Sequence, residues 1–266
     1  MLFEIQGKVA LVTGGASGIG LDVCKKLLRD GVRGLTIADI NQEVGEKVTE
    51  SLKREFDSSN VIFVRTDVSN RNSFEEAFKQ TLLAFKNVDI LVNNAGIFDD
   101  RCYEKEIDIN FKGAVHGITL GFQKYITENK SGAKGVIVNT ASITGTRVYP
   151  SMPIYGATKS ALVSLTMALG DEIHYERTKV RVVAVAPGFT TTNLGLNRPL
   201  TDISLDDDFG KVLEDQVPGY IEQPVNIVGE NIIKIIREKP SGTVWISEDE
   251  KDIYEYIPSR PTYKPT

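Results

Sequence analysis

The chain has 266 residues, 41% of them hydrophobic and 25% charged, with a formal net charge of −5. That length can bury a large α/β core, and an acidic balance without a dense Lys/Arg tract argues against a nucleic-acid partner. No run approaches the roughly 18 apolar residues of a membrane span, the opening residues lack a secretory pattern, and Cys24 and Cys102 fall in different predicted elements, so a cytoplasmic protein without disulfides is expected.

Short apolar runs alternate with longer amphipathic stretches. Strands are predicted at Lys8–Thr13, Leu35–Ala38, Val61–Arg65, Ile90–Asn93, Val136–Thr140, Arg181–Ala186 and Thr243–Ile246. Helices are predicted at about Gly18–Arg29, Asn41–Phe56, Ser73–Phe85, Tyr103–Asn129, Tyr155–Arg177 and Val225–Glu238. The strand runs are nearly continuous rather than alternating, as in strands covered on both faces. Regular alternation of strand and helix predicts a doubly wound α/β sheet, here one domain over residues 1–266. Residues 188–223 break the rhythm: they hold Thr190, Thr191, Thr192 and the acidic run Asp206–Asp208, and read as a substrate lid. The tail over residues 248–266, with Tyr254, Tyr256 and Tyr263 among prolines, reads as extended, lying on a partner subunit or on its own domain.

The first strand runs into Thr13-Gly14-Gly15-Ala16-Ser17-Gly18-Ile19-Gly20, where a helix begins. Gly14 permits a tight turn, Gly18 lets the backbone approach phosphates, and Gly20 lets helix and strand pack closely. A pyrophosphate can then sit on the free N–H groups of the helix N-terminus. Asp39 follows the second strand, where a carboxylate accepts ribose hydroxyls and repels a 2′-phosphate. With no Lys or Arg at Ala16, Ser17 or Ile40, NAD is favoured over NADP. Asp67 and Val68, after the third strand, are candidates for contact with adenine.

Tyr155 and Lys159 stand at i and i+4, on one face of a helix. A phenol has an ordinary pKa near 10, and a neighbouring ammonium favours its phenolate. Ser142 ends the fifth strand, where its hydroxyl can bond a substrate oxygen while Tyr155 moves the proton.

With these motifs, together with Asn93-Asn94-Ala95-Gly96, Asn110 and Pro187-Gly188, the chain resembles the short-chain dehydrogenase/reductase family over residues 6–247. Within it, Ala38-Asp39-Ile40-Asn41 and Asn139-Thr140-Ala141-Ser142 resemble the 15-hydroxyprostaglandin dehydrogenase and insect alcohol dehydrogenase group, although Met152 stands where the prostaglandin enzymes place a substrate-contacting Gln. The resemblance implies a single-domain Rossmann fold with seven parallel strands in the order 3-2-1-4-5-6-7. It implies a catalytic tetrad of Asn110, Ser142, Tyr155 and Lys159, in which Asn110 holds a water linking Lys159 to solvent and Lys159 also binds the nicotinamide ribose. Around NAD it places Gly14, Ser17, Gly18, Ile19, Gly20, Asp39, Ile40, Asp67, Val68 and the backbone of Asn93, Ala95 and Gly96. Pro187, Gly188, Thr190 and Thr192 complete that set, the two threonines holding the nicotinamide carboxamide. No metal site is expected.

Family spacing suggests a substrate pocket of Phe98, Ile143, Val148, Tyr149, Met152, Phe189 and Leu194, nearly all apolar, which fits a lipophilic alcohol or ketone. Arg147 is either a partner for an anionic substrate group or a solvated loop residue. An NADH-dependent carbonyl reductase and a non-catalytic cofactor-binding protein are the competing readings. A homodimer or homotetramer is expected, paired through the two long helices after the fourth and fifth strands, because Ala157, Ala161, Leu162, Leu165, Met167, Ala168 and Leu169 wrap more of the second helix than one-sided packing needs.

Overall fold

Along β1 (Val9–Thr13) every side chain is buried. Ala10 and Val12 enter one core and Leu11 the other, the two-residue period of a strand with helices on both faces. The computed structural model describes residues 2–57, 59–192, 194 and 198–258. In it β1 is joined by β2 (Gly34–Asp39), β3 (Val61–Arg65), β4 (Ile90–Asn93), β5 (Gly135–Thr140), β6 (Val180–Pro187), β7 (Val244–Ser247) and β8 (Tyr254–Glu255). The order is β3-β2-β1-β4-β5-β6-β7-β8. The seven expected strands are parallel, and the short β8 adds an antiparallel edge against β7.

On one face lie α1 (Gly18–Arg29) and α11 (Val225–Glu238), which put Val23, Cys24, Leu27, Ile232 and Ile236 into the core with Ala10 and Val12. On the other lie α3 (Arg71–Phe85), α5 (Ala114–Leu120) and α7 (Pro153–Leu169), with Phe74, Phe78, Ile118 and Leu162 against Leu11 and Leu91. Each such side chain fully buried contributes about 1.5–3 kcal/mol. The α2 helix (Gln42–Glu55) follows β2 and is capped by Asn41, whose side chain accepts from Val44 N.

The stretch expected as one helix over residues 103–129 is continuous but not uniform. It comprises α4 (Tyr103–Ile107), a π-helical segment Asp108–Gly113, α5, a second π segment Gly121–Tyr125 and α6 (Ile126–Asn129). Asn110 lies in the first π segment. The helix expected at Tyr155–Arg177 is α7 followed by the separate α8 (Glu172–Thr178). It breaks at Gly170, whose Cβ position would lie 2.2 Å from Gly242 N. The irregular stretch of residues 188–223 contains α9 (Leu200–Ile203) and α10 (Asp207–Gln216). Its acidic run is a helix start: Asp206 Oδ1 accepts from Asp208 N and Phe209 N, the N-cap role for which Asp is favoured. Among the described residues no helix is long and apolar enough to cross a membrane. The expected aromatic contributor Tyr263 lies outside the described residues.

Candidate active site

β1 has β2 on one side and β4 on the other, so the connections leaving it and β4 diverge to opposite faces and open a crevice at their carboxyl ends. Thr13 clips the two strand ends together: its Oγ1 accepts from Asn94 N at 2.9 Å and Ala95 N at 3.1 Å. Gly14 and Gly18 have φ of +62° and +51°, a left-handed backbone that suits glycine. At Gly20 a Cβ would lie 2.2 Å from Gly14 O, so close packing excludes any side chain there. Ser17, the N-cap of α1, makes no side-chain capping bond, which leaves first-turn N–H groups available to a ligand.

A cleft of about 900 Å³ begins here and is lined by Gly14, Ser17, Gly18, Ile19, Asp39, Ile40, Asp67 and Val68. Asp39 is fixed by accepting Ala16 N at 3.1 Å and Asn41 N at 3.0 Å. Asp67 Oδ1 is taken up by Ser69 N and Ser69 Oγ. The cleft continues past Ala95, Gly96, Ser142, Tyr155, Lys159, Pro187, Gly188, Thr190 and Thr192.

Three of the expected cofactor and catalytic residues do not line it. Gly20 sits behind Gly14. Asn93 faces the core, donating to Ala114 O at 2.8 Å and Asn139 Oδ1 at 3.2 Å. Asn110 is buried and exchanges two 2.8 Å bonds with the backbone of Ile97. It still reaches the site, because Gly96 has Asn110 Oδ1 and Lys159 Nζ at 3.2 and 3.4 Å from its Cβ position.

At the cleft floor Tyr155 and Lys159 share one face of α7, both buried. The Tyr155 ring meets Phe98 edge-on, with centroids 5.4 Å apart. Lys159 Nζ donates to Thr140 O at 3.0 Å and lies 5.5 Å from the Tyr155 ring centroid. Ser142 Oγ accepts from Thr144 N at 3.2 Å. The start of α7 is held from a distant loop, since Asp100 accepts Ile154 N at 3.0 Å and Tyr155 N at 2.8 Å. Nothing in the sequence pattern around Asp100 signals this contact.

Burial raises the Tyr155 phenol pKa, a hydrogen bond with Ser142 lowers it, and the nearby Glu106 and Asp100 carboxyls raise it further. Burial also pulls Lys159 down to about 8, with Glu106 pulling the other way. Desolvation dominates the phenol, and the influence that opposes it is Ser142 rather than the ammonium expected to do so.

Phe98, Ile143, Tyr149, Met152, Phe189 and Leu194 line the outer cleft, joined by Leu213, Val217 and Tyr220 from α10 and the turn after it. Tyr220 packs on Tyr149 and Phe189 at centroid distances of 6.0 and 5.9 Å. Val148 is the exception: it is 93% exposed and points away to solvent. Arg147 is exposed but not free. It makes two bonds to the Glu248 carboxylate, at 3.0 and 2.6 Å, and one of 2.6 Å to the Tyr254 hydroxyl. The tail as far as Tyr256 thus lies on its own domain, Tyr256 N donating to Val244 O at 2.8 Å. Between β6 and α11, the buried Gln223 donates to Ser247 O at 2.6 Å and Thr190 Oγ1 at 3.3 Å. Among the described residues no cluster of three His, Cys, Asp or Glu side chains is placed to hold a metal.

The chain is similar to known proteins over most of its length. The chain is 31% identical to human 15-hydroxyprostaglandin dehydrogenase [NAD(+)] over 79% of its length and 77% of the relative's. It is 28% identical to alcohol dehydrogenase 1 of Ceratitis cosyra over 92% and 93% of the two chains. The crystal structure of a short chain dehydrogenase/reductase from Burkholderia phymatum in complex with NAD superposes with a TM-score of 0.76, at 27% identity over 88% of this chain and 87% of that one. The family model for short chain dehydrogenases matches residues 8–201, and the chain belongs to that family of oxidoreductases.

Proposed function

We propose that the protein is an NAD-dependent dehydrogenase that oxidises a lipophilic secondary alcohol to its ketone. The observation that carries this reading is one continuous cleft joining the glycine-rich N-terminus of α1 to the buried Ser142, Tyr155 and Lys159. The residues present fit NAD. The twelve-residue α1, with no side-chain cap and with Gly14 left-handed before it and Gly18 left-handed at its first position, suits a pyrophosphate, with Ser17 and Ile19 beside it. Asp39 suits ribose hydroxyls, and its charge opposes a 2′-phosphate. Ile40, Asp67 and Val68 flank the adenine end. Ala95, Gly96, Lys159, Pro187, Gly188, Thr190 and Thr192 surround the nicotinamide end. NAD⁺ bound there supplies the hydride acceptor.

In the alcohol-oxidising direction Tyr155 acts as its phenolate, having first lost its own proton, and takes the alcohol proton to become the phenol. Ser142 Oγ holds the substrate oxygen, and Lys159 supplies the positive charge beside them that favours the phenolate, with Asn110 fixed behind it. The apolar lining of the outer cleft suits a substrate with few polar groups, and two of the cations on its rim are already paired, Arg147 with Glu248 and Arg198 with Asp99. Residues 188–223 serve as the lid. An NADH-dependent carbonyl reductase uses the same groups in reverse, and the burial that keeps Tyr155 protonated favours that donor role. Of the α7 residues expected to face a partner, Leu162, Leu165, Leu169 and Met167 pack on the chain's own core, so pairing of two copies through this helix rests on the exposed small residues Ala157 and Ala168.

The test is a panel of secondary alcohols with NAD⁺, and of the matching ketones with NADH, followed by NADH absorbance. Turnover of apolar members is expected. No turnover in either direction would leave a non-catalytic cofactor-binding protein as the better reading.

A further inference from the structure

The floor of the site holds two carboxyls for which this proton transfer has no use. Glu106 on α4 and Asp100 in the preceding turn are both fully buried. Both Asp100 oxygens accept backbone N–H groups at the start of α7. Glu106 Oε1 receives Asn110 Nδ2 and Asp99 N, each at 3.4 Å. Glu106 Oε2 is buried without an ordinary donor to it, yet its carboxyl lies against Asp100. Two adjacent buried carboxylates repel, and one proton between them removes the repulsion. Because Asp100 already accepts on both oxygens, the proton belongs on Glu106 Oε2, which then donates toward Asp100 and is no longer unsatisfied.

Every charged or titratable group facing Glu106 bears on the same point. Burial and Asp100 push its pKa up to about 9, the Asp99 backbone N–H and the Lys159 charge pull it down, and Tyr155 and Lys159 in turn feel any charge Glu106 acquires.

We propose that Glu106 is a positioning residue: carrying the single proton of the Asp100–Glu106 pair, it anchors Asn110 through Oε1 and keeps negative charge away from Tyr155 and Lys159. This rests on the reading of Tyr155 as the proton-transferring group. Ionising Glu106 would make phenolate formation harder by like-charge repulsion, so the neutral acid is the working form.

Two measurements on the full chain decide it. The first is carbon NMR of protein labelled at the glutamate carboxyl, with the Glu106 signal assigned through Glu106→Gln. A titration well above neutrality is expected. A Glu106 that titrates in the ordinary glutamate range would overturn the proposal, whatever the protein turns over. The second is the pH profile of kcat on the alcohol that the panel identifies. Glu106→Leu, which cannot bond Asn110, should lower kcat about tenfold with KM little changed, the scale of one hydrogen bond. Glu106→Gln should recover most of that loss and stay active further into alkaline pH than the unsubstituted protein. Equal losses in both variants with superimposable pH profiles would mean a packing role only and would also overturn it. If the panel shows no turnover at all, the dehydrogenase reading falls, and the carboxyl titration still decides where the proton sits.

Discussion

Replacing Tyr155 by Phe separates proton transfer from packing. The ring is buried and meets Phe98 edge-on, and Phe keeps that contact. The hydroxyl lost is hydrogen-bonded to Ser142, and Ser142 Oγ keeps Thr144 N as a partner. Losing one such bond costs about 1 kcal/mol, a Tm shift of roughly 2–4 °C for a domain of this size. Losing a positioned proton acceptor costs about 10²–10⁴ in rate, or roughly 2.7–5.5 kcal/mol of barrier. Tyr155→Phe should therefore melt within a few degrees of the unsubstituted protein, bind NADH by fluorescence titration with nearly unchanged affinity, and lose at least about a hundredfold in kcat. A variant that keeps kcat within tenfold would refute the role of Tyr155. A collapse in Tm would refute the claim that ring packing and chemistry are separable.

Lys159→Met should lower kcat and weaken NAD binding together, each by roughly tenfold or more, since charge-assisted hydrogen bonds are worth about 1.5–3 kcal/mol; an effect confined to KM for the alcohol contradicts this. Asp39→Ala should narrow a preference for NAD over NADP by about tenfold in kcat/KM, and equal use of both cofactors by the unsubstituted protein would defeat the argument. Light scattering at micromolar concentration should give a multiple of the 29.3 kDa chain mass; a stable, active monomer would mean that the outer face of α7 needs no partner. Stability should also carry the mark of Glu106. Its folded pKa lies above its unfolded value, up to about 9 from 4.5, so its contribution is complete at low pH and lost as pH rises through that window. The Tm of Glu106→Gln relative to the unsubstituted protein should therefore climb between about pH 5 and 9, and a constant difference would count against the assignment.

The sheet was readable because parallel strands buried on both faces leave unbroken apolar runs, and β1 to β7 appear in the expected order. The turn after β1 and the Tyr155–Lys159 pair were readable for a different reason: each lies within a few residues of chain, so sequence spacing is spatial spacing. What escaped depends on contacts between distant segments. Two-residue β8 has no apolar run to announce it and exists only because Tyr254 and Glu255 reach Ile246 and Trp245. The Asp206–Asp208 run looked like loop because its capping role needs the helix that follows. The exposure of Val148 and the pairing of Arg147 with Glu248 were hidden because spacing places a loop near a site without saying which of its side chains turns inward. Asp100 and Glu106 left no trace, since a charged residue in an amphipathic stretch reads as solvent-facing until the fold buries it.

The grip of Arg147 on Glu248 and Tyr254, 101 and 107 residues further along the chain, divides labour within the molecule. The groups proposed to handle the proton lie between Ser142 and Lys159, whereas Glu248 and Asp249, which also line the cleft, come from the segment after β7. Exchanging that segment would alter admission while the reaction machinery was inherited intact. A lineage built on this plan can change its diet by editing its tail.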